Sequence, residues 1–188
     1  MFTKSVKTLI FGGTFDPVHI GHLFIAETAC SQLGYQRVLF IPSLRNPLKH
    51  NPIASTVHRY RMLSLAIKGS SKFTLSDIEL RNKKISFSVE TVKELYKKDL
   101  KAKAGFLIGS DVLLKRNEWK DFSTLASLVD IVVAEREENI THNYQHLYTK
   151  VPMISSRYIR ELLQKKYSVR YLVPELVHRY ILKYSLYG

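Results

Sequence analysis

Short continuous apolar runs alternate with longer helix-like stretches along most of the chain, and this alternation is the feature that most restricts its fold. Apolar runs of this length are typical of parallel strands that are buried on both faces. Strands that alternate with helices predict an α/β fold, a doubly wound parallel sheet with helices on both faces. The strands are predicted at residues 8–13, 37–43, 72–76, 104–110 and 129–135, and the helices between them at 20–34, 55–69, 87–99 and 119–128.

The pattern changes after residue 136. Residues 137–146, EENITHNYQH, form a polar, loop-like stretch, and two segments with helical periodicity follow at 155–166 and 174–186. We expect these two segments to form a C-terminal helical segment, residues 155–188, that closes the fold. Because the sequence contains no internal repeat and no persuasive linker, we predict a single domain over residues 1–188.

The chain carries 29 Lys and Arg against 16 Asp and Glu, a formal net charge of +13. This excess favours an anionic partner, whether nucleic acid, an acidic membrane surface or a phosphorylated small molecule, and charge alone does not choose among them. The only cysteine is Cys30, which excludes a disulfide within one copy and favours a cytoplasmic location. No apolar run approaches the roughly 20 residues that span a bilayer, so we expect no membrane partner. The sequence leaves open a possible homo-oligomer.

The first predicted strand ends in a glycine pair within residues 9–22, LIFGGTFDPVHIGH. Gly12 and Gly13 stand at the carboxyl end of that strand, where open α/β sheets bind their ligands. The stretch is neither a Walker A loop nor a G-x-G-x-x-G motif. Glycines here would let the backbone pass close to a bulky anion, and Pro17 suits the turn that enters a helix.

Two histidines follow at a helical spacing. His19 and His22 stand at positions i and i+3, so both rings share one face on the first turn of the predicted helix. The amino terminus of a helix adds unpaired backbone N–H groups and a positive dipole end, which attract phosphate. Both rings can then reach the same ligand. No cysteine or third histidine lies nearby to complete a zinc site, so we predict no protein-held metal.

Residues 13–22, GTFDPVHIGH, resemble the signature of the nucleotidylyltransferase superfamily, and are most similar to that of the bacterial nicotinate-nucleotide adenylyltransferases. The similarity continues in order through NPLK (46–49), DIEL (77–80), SFSVET (86–91), IGSD (108–111), Trp119, ISSRYIR (154–160) and VRYLVP (169–174). This resemblance implies a Rossmann-like fold and transfer of AMP from ATP to nicotinate mononucleotide in NAD biosynthesis, with pyrophosphate leaving. Mg²⁺ is expected with ATP, because ATP reacts as its magnesium complex.

The resemblance also implies residue roles. His19, His22 and Arg160 would be catalytic, as donors to the phosphates. The nucleotide site implied for ATP comprises Gly12, Gly13, Thr14, Phe15, Asp16, His19, His22, Gly109, Asp111, Ser155, Ser156 and Arg160. The site implied for nicotinate mononucleotide comprises Lys49, Ser86, Phe87, Ser88 and Trp119. Trp119 would stack on the pyridine ring, and Ser88 would open a helix whose N–H groups receive the carboxylate.

Several of these residues have a second, structural interpretation. Asp111 could cap a helix, Trp119 could be core packing, and Arg160 could be a solvated arginine behind an ordinary serine N-cap. Asp16 could orient the turn rather than touch the nucleotide. The family usually has Thr at Arg157 and at Ser88, and His at Leu48, which leaves one hydroxyl contact and the basic loop around Lys49 open.

Other histidines and other functions are weighed as alternatives. His142 and His146 lie in the polar stretch without a third ligand, and His58 and His178 read as packing or surface residues. Cys30 is expected to be an inert buried thiol. The isoelectric point near 9.8 and the eleven tyrosines, which could stack on bases, would suit an RNA-binding module. Such a module leaves the motif at residues 9–22 unexplained, so no nucleic acid partner is expected. Another transferase of the superfamily, acting for example on phosphopantetheine, is the nearer alternative.

Overall fold

Within the part of the chain that the structure describes, six parallel strands form one sheet in the order β3-β2-β1-β4-β5-β6. The computed structural model describes residues 6–44, 51–81, 87–134, 143–147 and 154–188. The strands are β1 (Thr8–Gly13), β2 (Arg37–Pro42), β3 (Phe73–Leu75), β4 (Gly105–Gly109), β5 (Asp130–Ala134) and β6 (Gln145–Leu147). This order, with every pair parallel, is that of a doubly wound sheet and confirms the predicted Rossmann-like fold.

Eight described helices surround the sheet, and two of them close the chain as predicted. The helices are α1 (Ile20–Leu33), α2 (Thr56–Ala66), α3 (Ile78–Arg81), α4 (Ser88–Lys98), α5 (Ser110–Leu113), α6 (Phe122–Leu128), α7 (Ser156–Gln164) and α8 (Glu175–Lys183), with a 3₁₀ turn at Arg116–Glu118. α1 ends at Gly34, which has the left-handed φ of 68° that glycine adopts at helix ends. None of these described helices is long and apolar enough to cross a membrane.

The two faces of the sheet carry separate cores, because side chains alternate along each strand. On β1, Leu9 and Phe11 join the core shared with α1, α2, α7 and α8, whereas Ile10 joins the core shared with α4 and α6. All three are buried. The helices on both faces are therefore fixed against β1, the strand that leads into the motif.

The structure differs from the sequence prediction in its shortest elements. β6 overlaps the end of the stretch predicted to be a polar loop, so His146 belongs to a strand. Among the described strands, β6 pairs with β5 alone. Its three residues are too few for a period of two to stand out in the sequence. The helix predicted at 119–128 begins at Phe122, after the 3₁₀ turn. α3, four residues long, was not predicted, whereas α5 is the short helix for which Asp111 was considered as a cap.

The sheet reverses its winding beside β1. β2 and β3 lie on one side of β1, and β4, β5 and β6 lie on the other. β1 pairs with β2 along all six residues, but its register with β4 is Leu9↔Gly105 and Ile10↔Phe106, at the start of both strands. Ligands of open α/β folds bind outside the carboxyl ends of strands at such a switch point. The motif after β1 begins there.

Candidate active site

The segment after β1 folds back tightly on the strand. A Cβ on Gly13 would lie 2.9 Å from Cζ of Phe15, so a side chain at this position would collide with that ring. Phe15 is buried and has a φ of 49°, in the left-handed region. The second glycine of the pair is thus required by a close approach to Phe15, a reason that the sequence did not reveal.

The two histidines stack at the start of α1. His19 is the N-cap residue and His22 stands three residues later, with ring centroids 3.6 Å apart. The backbone N–H of His19 donates to Nδ1 of His22 over 3.2 Å. Because Nδ1 accepts, the ring hydrogen of neutral His22 lies on Nε2, which is then a hydrogen-bond donor. The predicted shared face of the pair is confirmed.

Neighbouring rings and a glycine hold this pair in place. The Phe15 ring packs edge-on against His22, with centroids 5.0 Å apart. A Cβ on Gly21 would lie 3.1 Å from Nδ1 of His19, so glycine at this position makes room for the imidazole. The spacing of the motif therefore serves the packing of its own histidines.

The first turn of α7 is fixed to the loop that precedes α1. Ser155 is the N-cap and its hydroxyl accepts the backbone N–H of Tyr158 over 3.1 Å. The Ser156 hydroxyl donates to the Pro17 carbonyl over 2.9 Å, and Arg160 Nη1 donates to the Asp16 carbonyl over 2.7 Å. The amino termini of α1 and α7, a guanidinium and two imidazoles therefore meet around one loop, which suits the binding of several phosphates.

The Asp16 carboxylate is buried and takes several hydrogen bonds. It accepts the backbone N–H groups of Ile53 and Ala54 over 2.8 and 3.1 Å, and the hydroxyl of Tyr187 over 2.8 Å. Arg160 Nη1 lies 3.8 Å from its Oδ2. These contacts favour an orienting role for the carboxylate, tying the loop after β1 to the chain that enters α2.

Arg59 is a buried arginine that links several backbone segments, and it was not predicted from the sequence. Its guanidinium is fully buried and donates to the carbonyls of Thr14, Ser43, Leu44 and Ala54 and to the hydroxyl of Thr56, at 2.7 to 3.3 Å. Burial lowers its pKa, and the nearby Asp16 opposes that shift. Arg59 thereby joins the carboxyl ends of β1 and β2. Its place three and four residues before the buried Met62 and Leu63, on the apolar face of α2, was the available signal.

Gly109 and Asp111 lie at the carboxyl end of β4, next to β1 in the sheet. Gly109 is the last residue of β4 and the N-cap of α5, and Asp111 is an exposed residue in the first turn of that helix. The alternative in which Asp111 caps this helix is wrong, because the N-cap residue of α5 is Gly109. Its carboxylate is left accessible at the edge where the winding reverses.

Trp119 and the start of α4 are linked through the residue that follows the tryptophan. Trp119 is half-buried, with edge-on contacts to Phe106 and Phe122 at centroid distances of 6.3 and 6.0 Å. Lys120 Nζ lies 4.3 Å from the Phe87 ring centroid and 2.9 Å from a Glu90 carboxylate oxygen. Since Ser88 follows Phe87 as the first residue of α4, the predicted tryptophan and serine lie in one neighbourhood. Lys49, Ser86 and Leu48 lie outside the described residues.

The buried carboxyl group of Glu79 connects α3 to α4, and it was not predicted from the sequence. Thr91 donates its hydroxyl to Glu79 over 2.8 Å, and Glu79 is buried. Burial raises the pKa of Glu79 to about 7, while the hydrogen bonds from Thr91 and from the Leu44 backbone oppose the shift. The family-like DIEL block therefore joins the end of β2 to the helix that opens with Ser88.

The remaining candidates lie away from this loop or in ordinary contacts. Arg157 is exposed and pairs with Glu161 over 2.9 Å. His58 contacts Tyr180, at 3.0 Å between Nδ1 and the hydroxyl, as a packing residue would, and Cys30 is buried with its pKa raised by burial. His142 lies outside the described residues. Within the ranges that the structure describes, no group of three His, Cys, Asp or Glu side chains could hold a metal.

Comparison with solved structures supports the fold. The chain is similar to Plasmodium falciparum nicotinic acid mononucleotide adenylyltransferase in complex with NaAD, with a TM-score of 0.81 at 20% identity, over 96% of this chain and 97% of that one. The same protein in complex with APC gives a TM-score of 0.77, over 96% of each chain.

Comparison with curated sequences supports the family. A family model described as cytidylyltransferase-like matches residues 10–162. A protein named "probable nicotinate-nucleotide adenylyltransferase" from Methylacidiphilum infernorum is 35% identical over 98% of this chain and 94% of its own length. One of the same name from Aquifex aeolicus is 41% identical over 69% of this chain and 77% of its own length. The chain belongs to the nicotinate-nucleotide adenylyltransferase family, within the cytidylyltransferase-like proteins.

Proposed function

We propose that this protein transfers AMP from ATP to the phosphate of nicotinate mononucleotide, giving nicotinate adenine dinucleotide and pyrophosphate. The observation that carries this proposal is the convergence of two helix amino termini, the stacked His19 and His22, and Arg160 around the loop after β1. An oxygen of the acceptor phosphate attacks the α-phosphorus of ATP, and the bond from that phosphorus to the bridging oxygen breaks. The electron pair leaves with pyrophosphate.

The attacking group needs no protein base. A phosphate monoester has a second pKa near 6, so most of it is a dianion at neutral pH. The site then has two tasks, to align the phosphates and to stabilise the charge that builds on the leaving pyrophosphate. Fixed donors accomplish the second task when they meet that charge more closely in the transition state than in the ground state.

We assign the donors to the ATP phosphates. The Nε2–H of His22 would donate to the triphosphate, with His19 beside it, and Ser155, Ser156 and Arg160 would bind the β and γ phosphates at the start of α7. Gly12, Gly13, Thr14 and Phe15 would line the approach, with Asp16 orienting them. Gly109 and Asp111 would contact the adenosine, where a carboxylate can accept hydrogen bonds from ribose hydroxyls.

We assign the acceptor to the neighbourhood of Trp119. Its indole would stack on the pyridine ring, and the N–H groups at the start of α4, around Phe87 and Ser88, would receive the nicotinate carboxylate. Lys49 and Ser86 remain predicted contacts from the family resemblance. ATP enters as its magnesium complex, so Mg²⁺ is proposed as part of the substrate. We propose one domain over residues 1–188, acting in the cytoplasm on small-molecule substrates.

A pyrophosphate-release assay with a panel of acceptors tests this function. Wild-type protein with ATP and Mg²⁺ is offered nicotinate mononucleotide, nicotinamide mononucleotide or phosphopantetheine. We expect nicotinate mononucleotide to give the highest kcat/KM, because its carboxylate meets the helix amino terminus while its ring meets Trp119. A clear preference for phosphopantetheine would assign the chain to the other transferase class. Tight, steeply salt-dependent RNA binding without ATP turnover would instead favour an RNA-binding module.

A further inference from the structure

The segment after α8 places Tyr187 in the core, in contact with Asp16 of the loop after β1. Ser185 and Tyr187 have φ values of 47° and 71°, in the left-handed region that residues other than glycine seldom adopt. The Leu186 N–H donates to the Ile181 carbonyl over 3.0 Å, which turns the chain back on the helix. Tyr187 is consequently only 7% exposed and belongs to the core shared with α1 and α2.

The Tyr187 hydroxyl completes the surroundings of the Asp16 carboxylate. It donates to Oδ1 over 2.8 Å, and the same oxygen accepts the Ala54 N–H over 3.1 Å while Oδ2 accepts the Ile53 N–H over 2.8 Å. Burial and the Asp16 carboxylate raise the pKa of Tyr187 well above its ordinary range. The phenol therefore keeps its proton at any working pH and stays a donor.

These contacts also set the distance between Asp16 and Arg160. The guanidinium donates to the Asp16 backbone carbonyl over 2.7 Å, but its Nη1 lies 3.8 Å from the carboxylate Oδ2. Three donors from other elements thus hold the carboxylate short of a direct hydrogen bond with Arg160. A carboxylate that lost one of them could turn toward the guanidinium and neutralise its charge.

We propose that Tyr187 is a positioning residue for the ATP half of the site. Its hydroxyl holds the Asp16 carboxylate away from Arg160, so that the guanidinium keeps its charge for the phosphates. Tyr187 itself touches no substrate. This inference rests on the proposed function, since Arg160 is a phosphate ligand only in that reaction.

The test is Tyr187→Phe, with Tyr180→Phe as the matched control. Each variant removes one hydroxyl from the C-terminal segment and keeps the ring; the Tyr180 hydroxyl lies 3.0 Å from His58 Nδ1, away from Asp16. A hydrogen bond to a charged group is worth about 10- to 100-fold, so we expect Tyr187→Phe to lower kcat/KM for ATP by about that factor. We expect the KM for nicotinate mononucleotide to change less than about twofold, and Tyr180→Phe to resemble wild type in both constants.

A double variant separates positioning from simple loss of stability. If Tyr187 acts through Arg160, then adding Tyr187→Phe to Arg160→Ala should lower kcat/KM for ATP by less than about threefold further, because coupled residues are not additive. Full additivity, or equal effects of Tyr187→Phe and Tyr180→Phe on ATP kinetics, would overturn the proposal.

Hydrogen exchange supplies a readout that does not depend on turnover. The Ile53 and Ala54 amides donate to Asp16, so Tyr187→Phe should speed their exchange relative to both wild type and Tyr180→Phe. If the wild type transfers AMP to no acceptor, the proposed function fails, and hydrogen exchange alone decides whether Tyr187 fixes the Asp16 carboxylate. Unchanged exchange at both amides would then reject the positioning role.

Discussion

Replacing His22 with alanine is expected to lower the turnover of AMP transfer at least about 100-fold while the protein remains folded. The variant removes the Nε2–H donor that we assign to the triphosphate, and single fixed donors to developing charge are typically worth about 10² to 10³ in rate. Steady-state pyrophosphate release measures the turnover, and circular dichroism checks the fold.

Two further variants separate the roles of the two ring nitrogens of His22. Nδ1 accepts the His19 N–H over 3.2 Å. Asparagine can offer an oxygen near the place of Nδ1, whereas glutamine can offer an N–H near the place of Nε2. We therefore expect His22→Asn to keep the thermal stability but lose the rate, and His22→Gln to retain more of the rate. His178→Ala, which replaces a histidine on α8 rather than α1, should leave turnover unchanged. Near-normal turnover in folded His22→Ala would refute the assigned role.

Replacing Arg59 with methionine is expected to lower the free energy of unfolding by about 3–5 kcal/mol, the range for breaking a buried charged network. Methionine fills a similar volume but leaves four main-chain carbonyls at the ends of β1 and β2 and before α2 without their donor. A fully buried acceptor that loses its partner costs about 1–3 kcal/mol. The bond to Ala54 is buried and the other three are partly buried, so the total stays well below four full penalties.

The control for Arg59 is Arg61→Met, an exposed arginine two residues along α2. Exposed substitutions of this kind change stability by about 0.5 kcal/mol or less. Urea unfolding of the two variants and wild type measures the difference, with similar m values as the check on two-state behaviour. A loss in Arg59→Met no larger than that in Arg61→Met would show that the buried guanidinium does not brace the strand ends.

Local patterns in the sequence were enough to predict the frame of the site. The strand before Gly12, the turn at Pro17 and the shared face of His19 and His22 all depend on neighbours within a few residues, and the structure confirms the strand and the shared face. The same holds for α7, where a serine cap and helical spacing predicted a helix that presents Arg160.

Long-range contacts could not be predicted in this way. Asp16 and Tyr187 are 171 residues apart, and nothing near either one indicates that they meet. From the sequence, Gly13 was explained by the close approach of the backbone to an anion. In the structure the reason is the Phe15 ring, which lies against Gly13 because Phe15 has a left-handed φ that the sequence does not reveal. The sequence does contain a signal for Arg59, because a charged residue on the apolar face of a helix indicates a buried role.

Two of the chain's arginines lie next to the proposed phosphate site. The sequence predicted an anionic partner without choosing one, and both proposed substrates carry phosphates. Both Arg59 and Arg160 donate to the loop after β1, Arg59 to the Thr14 carbonyl and Arg160 to the Asp16 carbonyl, and Arg59 is fully buried. Two cations therefore stand close to the proposed phosphate site, where low exposure strengthens their effect.

In the proposed reaction, the stacked histidines and the amino terminus of α7 bind the triphosphate of ATP jointly. The most direct measurement is a crystal structure with an ATP analogue whose α and β phosphates are joined by a methylene group, which cannot react. We expect phosphate oxygens within about 3.2 Å of His22 Nε2 and of a backbone N–H in the first turn of α7. A triphosphate bound elsewhere, with no contact to either imidazole, would contradict this expectation.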